Sequence, residues 1–134
     1  MIVLDTHTLV WWVNGDPALS KPAKAAIRAE HARDSKGAII VSAISAWEIA
    51  LLIKRGRLAL SKDLNTWLEA VRMIPAVKFT AVSVQIAANS VNLPGELHDD
   101  PADRIIIATA QQANAPLITK DERIRQYPHV KAIW

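Results

Sequence analysis

The chain has 134 residues, 51% hydrophobic and 22% charged, which suits one folded domain over 1–134 and leaves no room for a second domain, a repeat array or a long disordered tract. It has no cysteine, which removes disulfides, thiolate metal sites and cysteine nucleophiles together and fits a cytoplasmic setting. Its 16 basic and 13 acidic residues give a net charge of +3, a modest excess that suits a polyanionic partner as well as a plain solvated surface.

The first β-prone run, at 2–4, is closed by Asp5, and the chain enters it without a basic leader. Helical spacing follows over 8–13 and, rich in Ala, over 21–33. A second run at 38–41 leads into a helix over 44–54, and the next helix, over 64–73, gathers Leu64, Trp67, Leu68 and Val71 on one face. A run at 77–82, helices over 84–91 and 102–114, a run at 117–119 and a last one at 130–134 complete the order. None of the apolar runs approaches the ~18 residues needed to cross a bilayer, so no membrane span is expected. Strands alternating with helices predict an α/β fold, a short parallel sheet covered on both faces. In such sheets sites collect outside the carboxyl ends of the strands.

Four acids stand beside apolar stretches: Asp5 and Asp121 at strand ends, Glu48 in the first turns of the helix over 44–54, and Asp103 at the start of a helix. Topology brings the first three toward one edge; Asp103 depends on the tertiary fold. Each also has a plainer reading. Asp5 suits the cap of the helix that follows it, and Ser45-Ala46-Trp47-Glu48 has the form of a capping box. Asp100-Pro101-Ala102-Asp103 reads as N-cap to N3, with Asp100 the cap and Asp103 free for other work. Asp121 suits the cap of a short terminal helix or a pair with a basic neighbour. Yet Glu48 shares a stripe with Ile44 and Leu52, so its carboxylate leaves an apolar face and needs a partner.

Gathered together, the four carboxylates repel one another, and a divalent cation that prefers hard oxygen ligands reverses the penalty. The expected cofactor is therefore Mg2+ or Mn2+. Zinc is disfavoured, because His7, His31, His98 and His129 are scattered without ligand spacing. His7 and His98 remain candidate neighbours of the site.

These residues resemble the PIN-domain nucleases, and more closely the VapC-like toxins of type II toxin–antitoxin pairs. Ile2-Val3-Leu4-Asp5-Thr6-His7 followed by Trp11-Trp12 is similar to the family's opening, and Val41-Ser42-Ala43-Ile44-Ser45-Ala46-Trp47-Glu48-Ile49-Ala50 to its second motif. Asp100-Pro101-Ala102-Asp103-Arg104-Ile105-Ile106-Ile107-Ala108-Thr109-Ala110 and Leu117-Ile118-Thr119-Lys120-Asp121 resemble the third and fourth. Four motifs in order across the chain are specific, and none departs at its acid. The resemblance implies a three-layer α/β/α sandwich and a metal-dependent endoribonuclease. It places Asp5, Glu48, Asp103 and Asp121 as metal-holding catalytic residues, with Asp100 an additional acid. It further implies a homodimer and a small cognate antitoxin whose peptide covers the acidic groove.

Thr6, Ser42 and Thr119 are candidates to orient the carboxylates by hydrogen bonds. Lys54, Arg55 and Arg57, and separately Lys120, Arg123 and Arg125, are candidates for RNA phosphates. Arg104, next to Asp103, suits a salt bridge. Most of Trp11, Trp12, Trp47 and Trp67 belong in a core, with an exposed Trp of the first helix as an interface candidate. Two rivals remain. A haloacid-dehalogenase-like phosphatase would need a second acid two positions after Asp5, where His7 stands. A PIN-like module that binds RNA or protein without cutting would have no use for intact acids.

Overall fold

Five parallel strands form the sheet in the computed structural model, which describes residues 1–33 and 35–134. They are β1 (Ile2–Leu4), β2 (Ile39–Ser42), β3 (Val77–Thr80), β4 (Leu117–Ile118) and β5 (Ala132–Ile133), in the order β3-β2-β1-β4-β5. Val3, at the centre, stands opposite Ile40 on one side and Leu117 on the other. The helices are α1 (Thr6–Asn14), α2 (Lys21–Ala32), α3 (Ala43–Lys54), α4 (Leu64–Arg72), α5 (Val84–Val91), α6 (Pro101–Ala113) and α7 (Glu122–Arg125). No helix of the described residues is long and apolar enough to cross a membrane.

Alternation along the strands divides the interior in two. Ile2 and Leu4 pack with Leu9, Ile27, Ile49, Trp67 and Val71, from α1 to α4. Val3, pointing the other way, packs with Ile86, Ile106, Ile107 and Ile124, from α5 to α7. The central strands are thus apolar on both faces, as a parallel sheet between two helical layers requires. This is the expected α/β/α sandwich.

The order of strands fixes the location of the crevice. From β1 the chain steps outward to β2 and β3 under one layer of helices, then returns over the other face through α5 and α6 to β4, on the far side of β1. The direction of winding reverses between β1 and β4, and at such a reversal the carboxyl edge of the sheet opens a crevice. Because α6 runs back across the sheet before β4 begins, its N-terminus lies at that same edge.

Capping explains several boundaries. Asp5 takes the N–H of Thr6 and starts α1 two residues earlier than its apolar spacing indicates. At the other end α1 stops at Gly15, whose φ of 67° lies in the left-handed region open to glycine. The run at 77–82 pairs only as far as Thr80, because Ser83 then caps α5. The capping box at Ser45 and Glu48 does not form. Ser42 is the cap of α3, its hydroxyl accepting from Ile44 N at 3.2 Å, so Ser45 and Glu48 fall inside the helix with their side chains free to reach α1.

Candidate active site

Asp5 leaves β1 and is 93% shielded, being 7% exposed. One carboxylate oxygen accepts the N–H of Thr6 at 2.8 Å, the other the hydroxyl of Thr119 at 2.7 Å. Thr119 in turn accepts the N–H of Asp121 at 3.0 Å. A single buried hydroxyl therefore ties the carboxyl end of β1 to that of β4. Capping and site geometry coincide here, since the bond that starts α1 also fixes the direction of Asp5.

Glu48 arrives from α3. Thr6 donates its one hydroxyl hydrogen to Glu48 Oε1 at 2.5 Å, so Ser45, whose Oγ lies 2.9 Å from Thr6 Oγ1, is the donor in that pair. The apolar stripe that made a partner necessary for Glu48 finds it in Thr6. Asp103 arrives from the first turn of α6; its N–H is capped by Asp100 Oδ1 at 2.9 Å and its Oδ2 lies 2.6 Å from Nε2 of His98. Asp121 caps α7, accepting from Arg123 N and Ile124 N at 2.9 and 3.2 Å.

These acids line one cavity of about 520 Å³, with Asp100, His7, Trp11, Lys120 and Arg123 completing its wall. Burial pushes the Asp5 carboxyl up despite its two donors, and His7 partly offsets this while Asp121 adds to it. Burial likewise pushes Glu48 up to about 7 and Asp103 up to about 6; hydrogen bonds from Thr6 and His98 pull the other way, and the neighbouring carboxylates add to both rises. In such a group the ionised forms are disfavoured, and a cation would relieve the repulsion among them. The donor set is all hard oxygen apart from His98, which lies with Asp103 and Asp121 so that one ligand atom from each falls within 4.8 Å of the others. That chemistry fits a hard divalent cation.

Not every candidate residue reaches the cavity. Ser42 spends its hydroxyl on the cap of α3; Ser45, read from sequence as half of a capping box, takes the place beside Thr6. Lys54, Arg55 and Arg57 lie beyond the cavity wall at the far end of α3, where Lys54 is ~9 Å further along the axis than Glu48 at ~1.5 Å per residue. Arg125 also lies outside it, whereas Lys120 and Arg123 are on it. Lys120 Nζ stands 5.7 Å over the Trp11 ring, and Arg123 Nη2 is 3.4 Å from Asp121 Oδ2 and 3.9 Å from Asp103 Oδ2. Arg104 makes no bridge to Asp103; its guanidinium points to backbone carbonyls. Trp67 is core, Trp11 and Trp12 pack against the core, and the exposed tryptophan is Trp47 of α3, not one of α1.

An α/β/α sandwich with four carboxylates drawn to the switch point of its sheet defines an α/β protein with an acidic centre at the carboxyl edge. The PIN domain profile matches residues 2–130. The chain belongs to the PIN-domain family. A ribonuclease of Mycobacterium tuberculosis (strain ATCC 25618 / H37Rv), VapC22, is 35% identical over 132 residues, covering 98% of this chain and 95% of that one. Among solved structures, VapBC2 from Rickettsia felis bound to a promoter DNA fragment superposes with a TM-score of 0.68 at 17% identity, covering 98% of this chain and 97% of that one. A toxin–antitoxin complex from Klebsiella pneumoniae gives 0.63 at 24% identity, covering 97% and 95%. At those identities the two structures speak for the fold.

Proposed function

We propose that this chain is a divalent-metal-dependent endoribonuclease, the toxin of a toxin–antitoxin pair acting in the cytoplasm, and that Asp5, Glu48, Asp103 and Asp121 are its catalytic carboxylates. The observation that carries this is the convergence of four acids from four different elements on one cavity, three of them with carboxyls pushed upward. Function places such groups together; packing alone disfavours it. The ribonuclease relative, matched along nearly its whole length, supports RNA as substrate.

Asp5 and Asp103 are the main ligands for Mg2+ or Mn2+, and Glu48 and Asp121 hold the cation or its waters. When bound, the cation supplies Lewis acidity, acidifying the attacking water and neutralising charge on the phosphodiester. The chain's part is to aim these groups. Thr119 and Thr6 N hold Asp5, the relay from Ser45 through Thr6 holds Glu48, and the turn at 119–121 holds Asp121. Lys120 and Arg123, exposed on the cavity wall, meet the RNA backbone and offset its repulsion from the acids. A homodimer and a small antitoxin covering the cavity complete the proposal, on the family resemblance.

Purified protein incubated with total RNA in Mg2+, Mn2+ or EDTA, beside Asp5→Asn, tests it. Cleavage that needs metal and vanishes in the variant is the expected result. RNA retained but uncut under every condition by folded, antitoxin-free protein would replace the nuclease with a binding module.

A further inference from the structure

His98 sits in the connection between α5 and α6, outside any helix or strand. Its Nε2 lies 2.6 Å from Asp103 Oδ2, and its Nδ1 is buried without a hydrogen-bond partner among the described residues. A buried N–H left unpaired costs more than an unused lone pair. The network therefore assigns the ring hydrogen to Nε2, where it donates to Asp103.

The connection that carries His98 is itself held from α6. Arg104 Nε donates to Ser90 O at 2.8 Å and Nη2 to Val91 O at 3.1 Å, at the end of α5. Its Nη1 donates to Leu97 O and to the carbonyl of His98, both at 3.2 Å. Among the described residues, four backbone carbonyls and no carboxylate receive this guanidinium. Its rigid fork is spent as a splint between α5, the connection and α6, a geometry lysine has too few fixed donors to reproduce.

We propose that His98 is a positioning residue for Asp103 and that Arg104 acts through it: Arg104 fixes the backbone of His98, and His98 fixes one oxygen of Asp103 before a cation arrives. A hydrogen bond that fixes the orientation of a ligating carboxylate contributes to metal affinity without touching the metal. The inference rests on the metal-holding role given to Asp103 above, and adds two residues outside the four acids.

The test is Mg2+ binding by titration calorimetry on the full chain, with folding checked by thermal melts in EDTA. Glutamine carries an amide N–H near the position of Nε2, whereas asparagine places it near Nδ1. His98→Ala and His98→Asn should weaken Mg2+ binding by ~10–100-fold, and His98→Gln should recover most of the loss. Arg104→Lys should weaken binding too, and the double variant with His98→Ala should bind no more weakly than His98→Ala alone, since one residue acts through the other. Equal losses for Gln and Ala, tighter binding in His98→Ala, or additive losses would overturn the proposal. If Arg104→Lys does not fold, the three His98 variants decide. A wild-type chain that neither binds Mg2+ nor cuts RNA defeats the metal reading itself. One that does both, with His98 variants indistinguishable from it, defeats this inference alone.

Discussion

Replacing Thr119 by valine removes one oxygen and keeps the branched shape that a strand end accepts. Thr119 is fully buried, and its hydroxyl serves two partners: it donates to Asp5 Oδ2 at 2.7 Å and accepts from Asp121 N at 3.0 Å. The first is a bond to a carboxylate, of the kind that contributes ~1.5–3 kcal/mol when the group is ionised; the second is a neutral bond of ~1 kcal/mol. Metal binding requires the ionised form of Asp5. This bond is one of the influences that lower its pKa, so its loss moves Asp5 further toward the protonated state and further from the cation. The expected result is a Mg2+ affinity ~10–100-fold weaker, equivalent to ~1.4–2.7 kcal/mol, with the penalty larger at pH 6 than at pH 8. Calorimetric titration of Mg2+ at the two pH values, beside EDTA melts, reads both the binding and the stability cost. An affinity within ~2-fold of wild type, accompanied by a lowered melting temperature, would show that Thr119 joins β1 to β4 for stability alone and has no hold on the acid.

The metal-free protein should lose stability as pH rises. Glu48 moves from 4.5 to about 7 and Asp103 from 3.8 to about 6, so the folded chain keeps protons that the unfolded chain has released. That contribution is complete below the unfolded values and is lost as pH climbs through the folded ones. With screening at these partly exposed groups, the total is on the order of 1–2 kcal/mol. Melts in EDTA should therefore fall between pH 5.5 and 7.5, with Mg2+ restoring more at 7.5; a melting temperature that rises across that interval contradicts the sign. Ile27→Ala, in α2 at 1% exposure, should cost ~2–5 kcal/mol in denaturant unfolding while leaving the Mg2+ affinity of the folded protein unchanged, because Ile27 is not among the residues that line the cavity. A parallel loss of affinity would mean that the two are mechanically coupled.

What the amino-acid order discloses depends on how local each cause is. Asp5 and Asp121 end apolar strand runs, and a parallel sheet sends such ends to one edge, so both were legible without tertiary knowledge. Asp100 as the cap of α6 followed from proline at the next position, and the structure has the bond. Glu48 was legible as a polar residue on an apolar stripe, but its partner was obscured. Ser42 and Ser45 both suit an N-cap, and only the pairing of β2 through Ser42 with Thr80 decides which of them starts the helix.

Asp103 and His98 mark where local reasoning stops. Alternation of strands and helices predicts a parallel sheet but leaves the strand order open, and Asp103 reaches the cavity because the order reverses between β1 and β4, placing the N-terminus of α6 at the carboxyl edge. His98 lies in a connection with no period to read, five residues before its partner, and its position depends on four carbonyl contacts made by Arg104. In sequence, Arg104 beside Asp103 suggests a salt bridge. On a helix, however, adjacent residues point in different directions, so the arginine faces the α5 connection while the aspartate faces the cavity. The two neighbours are joined through His98, by a loop that the one holds and the other meets.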